Sequence, residues 1–80
     1  MYFVYILECS DKSLYTGIAK DVEARLALHR RGKGAKYTLS HKPKRIVYRE
    51  KKRDRSMALK REIEIKKLTR VQKRELIRSR

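Results

Sequence analysis

The amino-acid sequence predicts an α/β protein in which a small sheet is covered by helices. Three short runs rich in β-branched and aromatic residues predict strands, and three longer stretches carry helix signals. Along the chain these segments follow the order β-β-α-β-α-α. A chain of 80 residues has the length of one small domain, so we expect a single domain over residues 1–80.

The first two strands are predicted to form a hairpin. Residues 2–7 and 14–18 are apolar and β-prone, and the turn-forming residues 9–12 separate them. A hairpin of this kind places Tyr5 and Tyr15 in one small region of the protein. A lone strand tyrosine is ordinarily structural, so the two phenols gain functional interest only together with the residues that follow.

A helix is predicted over residues 21–31, because Asp21 suits the positive end of a helix and Gly32 supplies a stop. One face of this helix combines two apolar and two basic side chains, which is unusual for a purely structural helix. The four residues are Val22, Arg25, Leu26 and His29. A face of this composition suits a helix that borders a cleft.

The middle of the chain predicts a loop followed by the third strand. Residues 32–38 contain two glycines and two lysines, and we expect a loop that either contacts phosphates or serves as a solvated connector. Pro43 then restricts the chain ahead of residues 45–50, whose β-branched and aromatic content predicts a strand.

Two further helices are predicted in the last third of the chain. Asp54 or Ser56 can cap a helix that ends near Leu68. Residues 69–72 match a capping box, so a separate helix is expected over residues 70–78. Its few apolar anchors are Val71, Leu76 and Ile77.

Two glutamates of the longer of these helices differ in orientation. At about 100° per residue, Glu62 falls on the same side as Ala58 and points toward the sheet, whereas Glu64 points to solvent. A carboxylate that is turned inward costs free energy unless something compensates for it. Two explanations remain open at this point: a buried ion pair with Arg25, or a ligand for a hard divalent cation.

The positive charge is large and uneven. The chain has a formal net charge of +15. Residues 1–40 carry 7 Lys and Arg against 4 Asp and Glu, net +3, and residues 41–80 carry 17 against 5, net +12. Charge of this density favours a polyanionic partner, with nucleic acid as the first candidate and a solvated cationic surface as the alternative. Charge alone does not separate DNA from RNA.

Cysteine usage and hydropathy indicate a cytoplasmic protein. Cys9 is the only cysteine, which excludes an internal disulfide and fits a reducing compartment. The apolar residues 2–7 are too few for a signal peptide or a membrane span. No segment pairs a basic face with a large apolar one, so we expect no membrane partner.

The order of these residues resembles the GIY-YIG nuclease family. Phe3-Val4-Tyr5 stands where the family has Gly-Ile-Tyr, and Tyr15-Thr16-Gly17 stands for Tyr-Ile-Gly. Arg25 matches the family arginine, His29 a position that is often histidine, and Glu62 the metal-binding glutamate. Two further segments look like signatures of small stand-alone bacterial members: residues 32–38 and 64–68.

The resemblance implies a fold and a set of catalytic roles. The sheet would have three strands and be mainly antiparallel. Glu62 would hold one Mg²⁺ or Mn²⁺ against the scissile phosphate, and Tyr5, helped by Tyr15, would orient or deprotonate the attacking water. Arg25 would bind the phosphate and stabilise its developing charge, with His29 as a proton-transfer partner. The implied activity is metal-dependent hydrolysis of DNA phosphodiester bonds, by nicking or structure-selective cleavage, in repair or recombination.

A nucleic-acid-binding module that cuts poorly or not at all is the alternative hypothesis. The chain has Phe3 in place of the first family glycine and Ile18 where many members have lysine. It also contains no asparagine, a residue that larger nucleases of the family use late in the domain. The missing asparagine and the high basicity both favour a module that binds DNA or structured RNA.

Overall fold

A computed structural model describes residues 1–79. The strands are β1 (Tyr2–Cys9), β2 (Leu14–Ala19) and β3 (Pro43–Lys52). The helices are α1 (Val22–Arg30), α2 (Lys36–Ser40), α3 (Arg55–Lys66) and α4 (Arg70–Ser79). None of these helices has the length and apolar character that crossing a bilayer requires.

The three strands form one sheet with the order β2-β1-β3, and both strand pairs are antiparallel. This confirms the predicted α/β fold with its small antiparallel sheet. Because β1 is central, its residues from Phe3 to Glu8 have a neighbour in β2 as well as one in β3. Tyr5, for example, lies opposite Gly17 of β2 and Arg49 of β3.

Successive side chains of β1 point to opposite faces of the sheet, and helices cover both faces. On the face covered by α3, called the α3 face, the buried residues are Val4, Ile6, Val47, Tyr48, Ala58 and Ile65. On the face covered by α1, called the α1 face, they are Tyr5, Leu7, Ala19 and Val22. Each core is thin, and β1 contributes to both.

The ends of α1 follow from local hydrogen bonds. The carboxylate of Asp21 accepts a hydrogen bond from the backbone N–H of Ala24 at 3.0 Å, which makes Asp21 the N-cap. After the helix, Gly32 adopts φ +76°, a conformation that favours glycine, and its N–H donates to the carbonyl of His29 at 3.0 Å. The predicted start and stop are both confirmed.

The two C-terminal helices are also capped as predicted. Asp54 accepts from the backbone N–H of Met57 at 2.9 Å, so it caps α3. Thr69 and Gln72 form the reciprocal capping box of α4, with distances of 3.1 and 2.9 Å.

α4 is held to the α3 face by two apolar residues and one arginine. Leu76 and Ile77 pack against the core, whereas Val71 is 67% exposed, so its predicted role as an anchor is wrong. Glu8, a buried carboxylate of β1, accepts hydrogen bonds from Arg74 of α4 at 2.9 Å and from Arg45 of β3 at 3.0 Å. Glu8 therefore joins the central strand, an edge strand and the last helix.

The short helix α2 was not predicted. Residues 36–38, expected to belong to a loop, lie in it, although the residue before it provides no side-chain cap. Tertiary contacts stabilise the helix instead. The ring of Tyr37 stacks on Tyr15 with centroids 5.9 Å apart and on His41 with centroids 4.2 Å apart. His41 in turn contacts Asp11 of the β1–β2 turn, with 2.6 Å between Nδ1 and Oδ2.

Candidate active site

The hairpin brings the phenols of Tyr5 and Tyr15 together on the α1 face, with ring centroids 6.4 Å apart. Gly17, directly across from Tyr5, makes room for the Tyr5 hydroxyl. A Cβ atom at position 17 would lie 2.6 Å from Oη and 2.8 Å from Cζ of Tyr5, closer than unbonded atoms approach. The second motif therefore needs glycine because the tyrosine of the first motif fills the space above it.

The Tyr5 hydroxyl lies 2.9 Å from Nε2 of His29 on α1. Both residues are only 1% exposed, so this hydrogen bond is shielded from water. The other ring nitrogen of His29, Nδ1, lies 2.8 Å from Oγ1 of Thr38 on α2. Three elements thus supply one continuous buried chain of hydrogen bonds.

Burial keeps both ends of the Tyr5–His29 hydrogen bond neutral near pH 7. It raises the pKa of the Tyr5 phenol well above its ordinary value, and Tyr15 raises it further. Arg25 lowers the pKa of Tyr5, and Glu62 adds a smaller increase. For His29, burial lowers the pKa below its usual value, with the positive charge of Arg25 as a second cause.

Arg25 extends from α1 beside this pair and lacks a carboxylate partner among residues 1–79. It lines an open cleft of about 450 Å³ that Lys20, Arg55 and the acidic Asp21 also line. Three basic side chains around one cleft form a suitable surface for phosphate groups, and Arg25 is the one whose charge also acts on Tyr5 and His29.

Glu62 is oriented inward, as its helical phase predicts. Its side chain is 15% exposed, against 65% for Glu64 two residues later. Within the described part of the chain, the ion pair of Glu62 is with Lys66, at 3.5 Å, and the pair with Arg25 is not formed. Glu64 has a closer partner, Arg61, at 3.0 Å.

These contacts leave Glu62 suited to a hydrated divalent cation. No group of three or more His, Cys, Asp or Glu side chains with metal-binding geometry occurs in residues 1–79, so a metal site there would contain at most two such side chains. Mg²⁺ accepts such an arrangement, because it retains several waters and is often bound by one or two carboxylates together with substrate phosphates. The loosely paired carboxylate of Glu62 therefore fits this ion.

The sequence did not identify Gly34 and Thr38 as site residues. Residues 32–38 were expected to contact phosphates or solvent, whereas Gly34 and Thr38 contact His29. A Cβ atom at position 34 would lie 2.1 Å from Nδ1 of His29, so only glycine allows this approach. The second glycine of the segment was the available signal, since an isolated glycine often marks a close backbone approach.

Known proteins share the sequence pattern and the fold of this chain. Residues 1–75 match the family model of the GIY-YIG catalytic domain. UPF0213 proteins of Staphylococcus aureus, from strains Mu3 and N315 among others, are 57% identical over 79 residues, covering 99% of this chain and 96% of theirs. A UPF0213 protein of Bacillus halodurans, solved by NMR in solution, has a TM-score of 0.64 and 42% identity, covering 100% of this chain and 86% of its own. The chain therefore belongs to the GIY-YIG family of nucleases.

Proposed function

We propose that this protein is a divalent-metal-dependent endonuclease that hydrolyses phosphodiester bonds of DNA. The observation that carries the proposal is the buried hydrogen bond between Tyr5 and the neutral imidazole of His29. A purely structural core does not need such a pair next to an arginine that has no carboxylate partner in residues 1–79 and a carboxylate that is only loosely paired. Family membership supports a nucleic-acid substrate, and the net charge of +15 supports a polyanion.

The Tyr5–His29 pair can remove a proton from a water molecule without forming a phenolate in the resting protein. Since burial raises the pKa of Tyr5, the phenol begins neutral. Its oxygen accepts the proton of the attacking water while its own proton moves to Nε2 of His29. The resulting hydroxide attacks phosphorus, and the bond from phosphorus to the leaving oxygen breaks. The leaving oxygen then takes a proton from solvent, and His29 returns its proton to the Tyr5 oxygen as the phenol passes its own proton to a water molecule.

Arg25 and Glu62 act on the phosphate. The guanidinium of Arg25 can donate two parallel hydrogen bonds to phosphate oxygens and stabilise the charge that grows on them. Glu62 would hold one Mg²⁺ or Mn²⁺, and that ion, when bound, supplies Lewis-acid polarisation of the phosphate. Tyr15, whose ring centroid lies 5.1 Å from that of His29, would help to keep the imidazole in place.

A nucleic-acid-binding module with little or no cleavage is the second candidate. The burial of Tyr5 favours it, because a phenol that is 1% exposed is difficult for a substrate to reach. The absence of a group of three or more metal-ligating side chains from residues 1–79 favours it as well. DNA and structured RNA are both suitable ligands for such a module.

Nicking of supercoiled plasmid tests the proposal. We expect the parent protein to nick the plasmid in the presence of Mg²⁺ or Mn²⁺, and we expect nicking to stop when EDTA removes the metal ion. Glu62→Ala should reduce the single-turnover rate on the order of 10²–10³-fold, the usual cost of removing a main electrostatic contribution to the transition state. DNA binding, measured by fluorescence anisotropy, should be largely retained.

Glu64→Ala is the matched control. It removes the same group from the same helix, but from an exposed ion pair that contributes about 0–1 kcal/mol, so its rate should equal that of the parent. A rate that falls in Glu64→Ala and not in Glu62→Ala would show that the wrong carboxylate has been chosen. A parent protein that binds DNA or RNA but cuts no form of either would establish the binding module instead.

A further inference from the structure

Residues 34–38 form a clip that closes over the ring of His29. At one end of the clip, Gly34 approaches the imidazole so closely that a Cβ atom would lie 2.1 Å from Nδ1 and 2.4 Å from Cγ. At the other end, Thr38 is 2% exposed and places Oγ1 2.8 Å from Nδ1. Because the clip covers Nδ1, Nε2 is the ring nitrogen that remains in contact with Tyr5.

The hydrogen bonds of Thr38 determine which nitrogen of His29 carries the proton. A threonine hydroxyl has one proton, and Thr38 donates it to the backbone carbonyl of Ala35 at 3.0 Å, a group that can only accept. Oγ1 must then accept at its contact with Nδ1, so Nδ1 carries the imidazole proton. In a neutral ring Nε2 is consequently without a proton and accepts from the Tyr5 hydroxyl.

We propose that Thr38 is a positioning residue that holds His29 in the Nδ1–H tautomer and so keeps Nε2 available as the proton acceptor for Tyr5. The catalytic meaning of this role rests on the proposed nuclease function. In the opposite tautomer, Nε2 would carry the proton and donate it to the Tyr5 oxygen. The phenol could then pass no proton to His29, and the water would lose its base.

Comparing Thr38→Val with Thr38→Ser separates the effect of the hydroxyl group from the effect of the side-chain shape. Valine has the same branched shape but accepts no hydrogen bond, and serine keeps the hydroxyl. The tautomer is measured in the full chain, without metal or DNA, from the ¹⁵N chemical shifts and long-range couplings of the imidazole. The chain has two histidines, and a His41→Gln variant assigns their signals.

We expect His29 of the parent and of Thr38→Ser to be the Nδ1–H tautomer, and His29 of Thr38→Val to shift toward Nε2–H. Single-turnover cleavage should fall about 10–100-fold in Thr38→Val, the range found when a group that orients a histidine is removed. Serine should restore most of the rate, and DNA affinity should be equal in all three proteins.

The NMR measurement tests the positioning role of Thr38 independently of the nuclease activity. If the parent shows the Nε2–H tautomer, or if Thr38→Val keeps the Nδ1–H form, Thr38 does not have this role. Should Thr38→Val fail to fold, Thr38→Ala removes the same acceptor without the branched carbon and gives the same two readings. A parent with the expected tautomer that cuts no nucleic acid would leave the positioning role intact and refute the proposed function alone.

Discussion

Gly17 and Tyr5 are paired across the hairpin, and the tyrosine hydroxyl fills the space that a side chain at position 17 would need. The hydroxyl lies 2.9 Å from the imidazole of His29, so its position also sets the geometry of the proposed proton transfer. A displacement of about 1 Å can cost on the order of 10² in rate. The smallest residue of the site is therefore expected to have a large effect on catalysis.

Gly17→Ala tests this expectation. The added methyl group should displace the Tyr5 hydroxyl from His29, because Oη would otherwise lie 2.6 Å away. We expect a loss of roughly 10²-fold in single-turnover cleavage and a loss of about 1–3 kcal/mol in the free energy of unfolding. Cleavage assays and urea titrations measure the two effects.

The Tyr5→Phe background provides the control for Gly17→Ala. Removing the hydroxyl removes the atom nearest to the new methyl group, so Gly17→Ala should destabilise Tyr5→Phe less than it destabilises the parent. Simple addition of the two stability changes would mean that the methyl group does not act through the tyrosine.

At the scale of elements, Glu8 connects α4 to the sheet. Burial alone would raise the pKa of Glu8, but the hydrogen bonds from Arg74 and then Arg45 hold it below its ordinary value. A carboxylate whose pKa is lower in the folded protein adds stability above its unfolded pKa of about 4.5. That contribution is lost as the pH falls through the lower folded value.

Arg74→Ala should reduce the free energy of unfolding by about 1–3 kcal/mol at pH 7, since it removes a hydrogen bond to a buried charge. The difference from the parent should shrink as the pH falls below about 4.5, where Glu8 becomes protonated in the unfolded chain and then in the folded one. Thermal unfolding across this pH range gives the measurement. Arg78→Ala, which removes an exposed arginine from the same helix, should change stability little at any pH.

Elements with local signals were predictable, and elements held by distant contacts were not. The caps of three helices and the inward phase of Glu62 depend on residues within four positions of one another, and the hairpin depends on two strand-forming runs joined by a short turn, so the sequence alone indicates them. The helix α2 depends on the stacking of Tyr37 on Tyr15, which lies 22 positions earlier in the chain and meets it only after folding. For the same reason the hydrogen bond from His29 to Thr38 leaves no sequence pattern.

At the scale of the whole molecule, ion pairs with carboxylates neutralise part of the positive charge. Six basic residues bind carboxylates within the described part of the chain: Arg45, Arg49, Lys52, Arg61, Lys66 and Arg74. The remaining basic residues still outnumber the acidic ones, and three of them share the cleft beside the site. Binding to nucleic acid should therefore depend on phosphate contacts more than on base sequence.

The salt dependence of DNA binding measures these contacts. We expect about 4–7 phosphate contacts and a slope of log K against log[salt] of roughly −4 to −6. Lys20→Ala and Arg55→Ala, both in the cleft with Arg25, should each reduce the slope by about one. Affinities at four or more salt concentrations give the slopes.

Lys60→Ala is the matched control for the slope. Lys60 is exposed, on the opposite side of α3 from the buried Ala58, and its removal changes the net charge by the same amount. An equal change of slope in Lys60→Ala would mean that the charge acts as a general field and that the cleft has no special part in binding.

The order of the elements along the chain determines when each part of the candidate site is synthesised. The hairpin of β1 and β2 needs only the first nineteen residues, so both tyrosines and Gly17 can meet early. The second partner of β1 follows at residues 43–52, and Glu62 follows later still. During synthesis, Tyr5 and Tyr15 are therefore present before Glu62, the carboxylate proposed to bind the metal. If the chain has the proposed nuclease activity, it would therefore be inactive until α3 has been synthesised and has docked on the sheet.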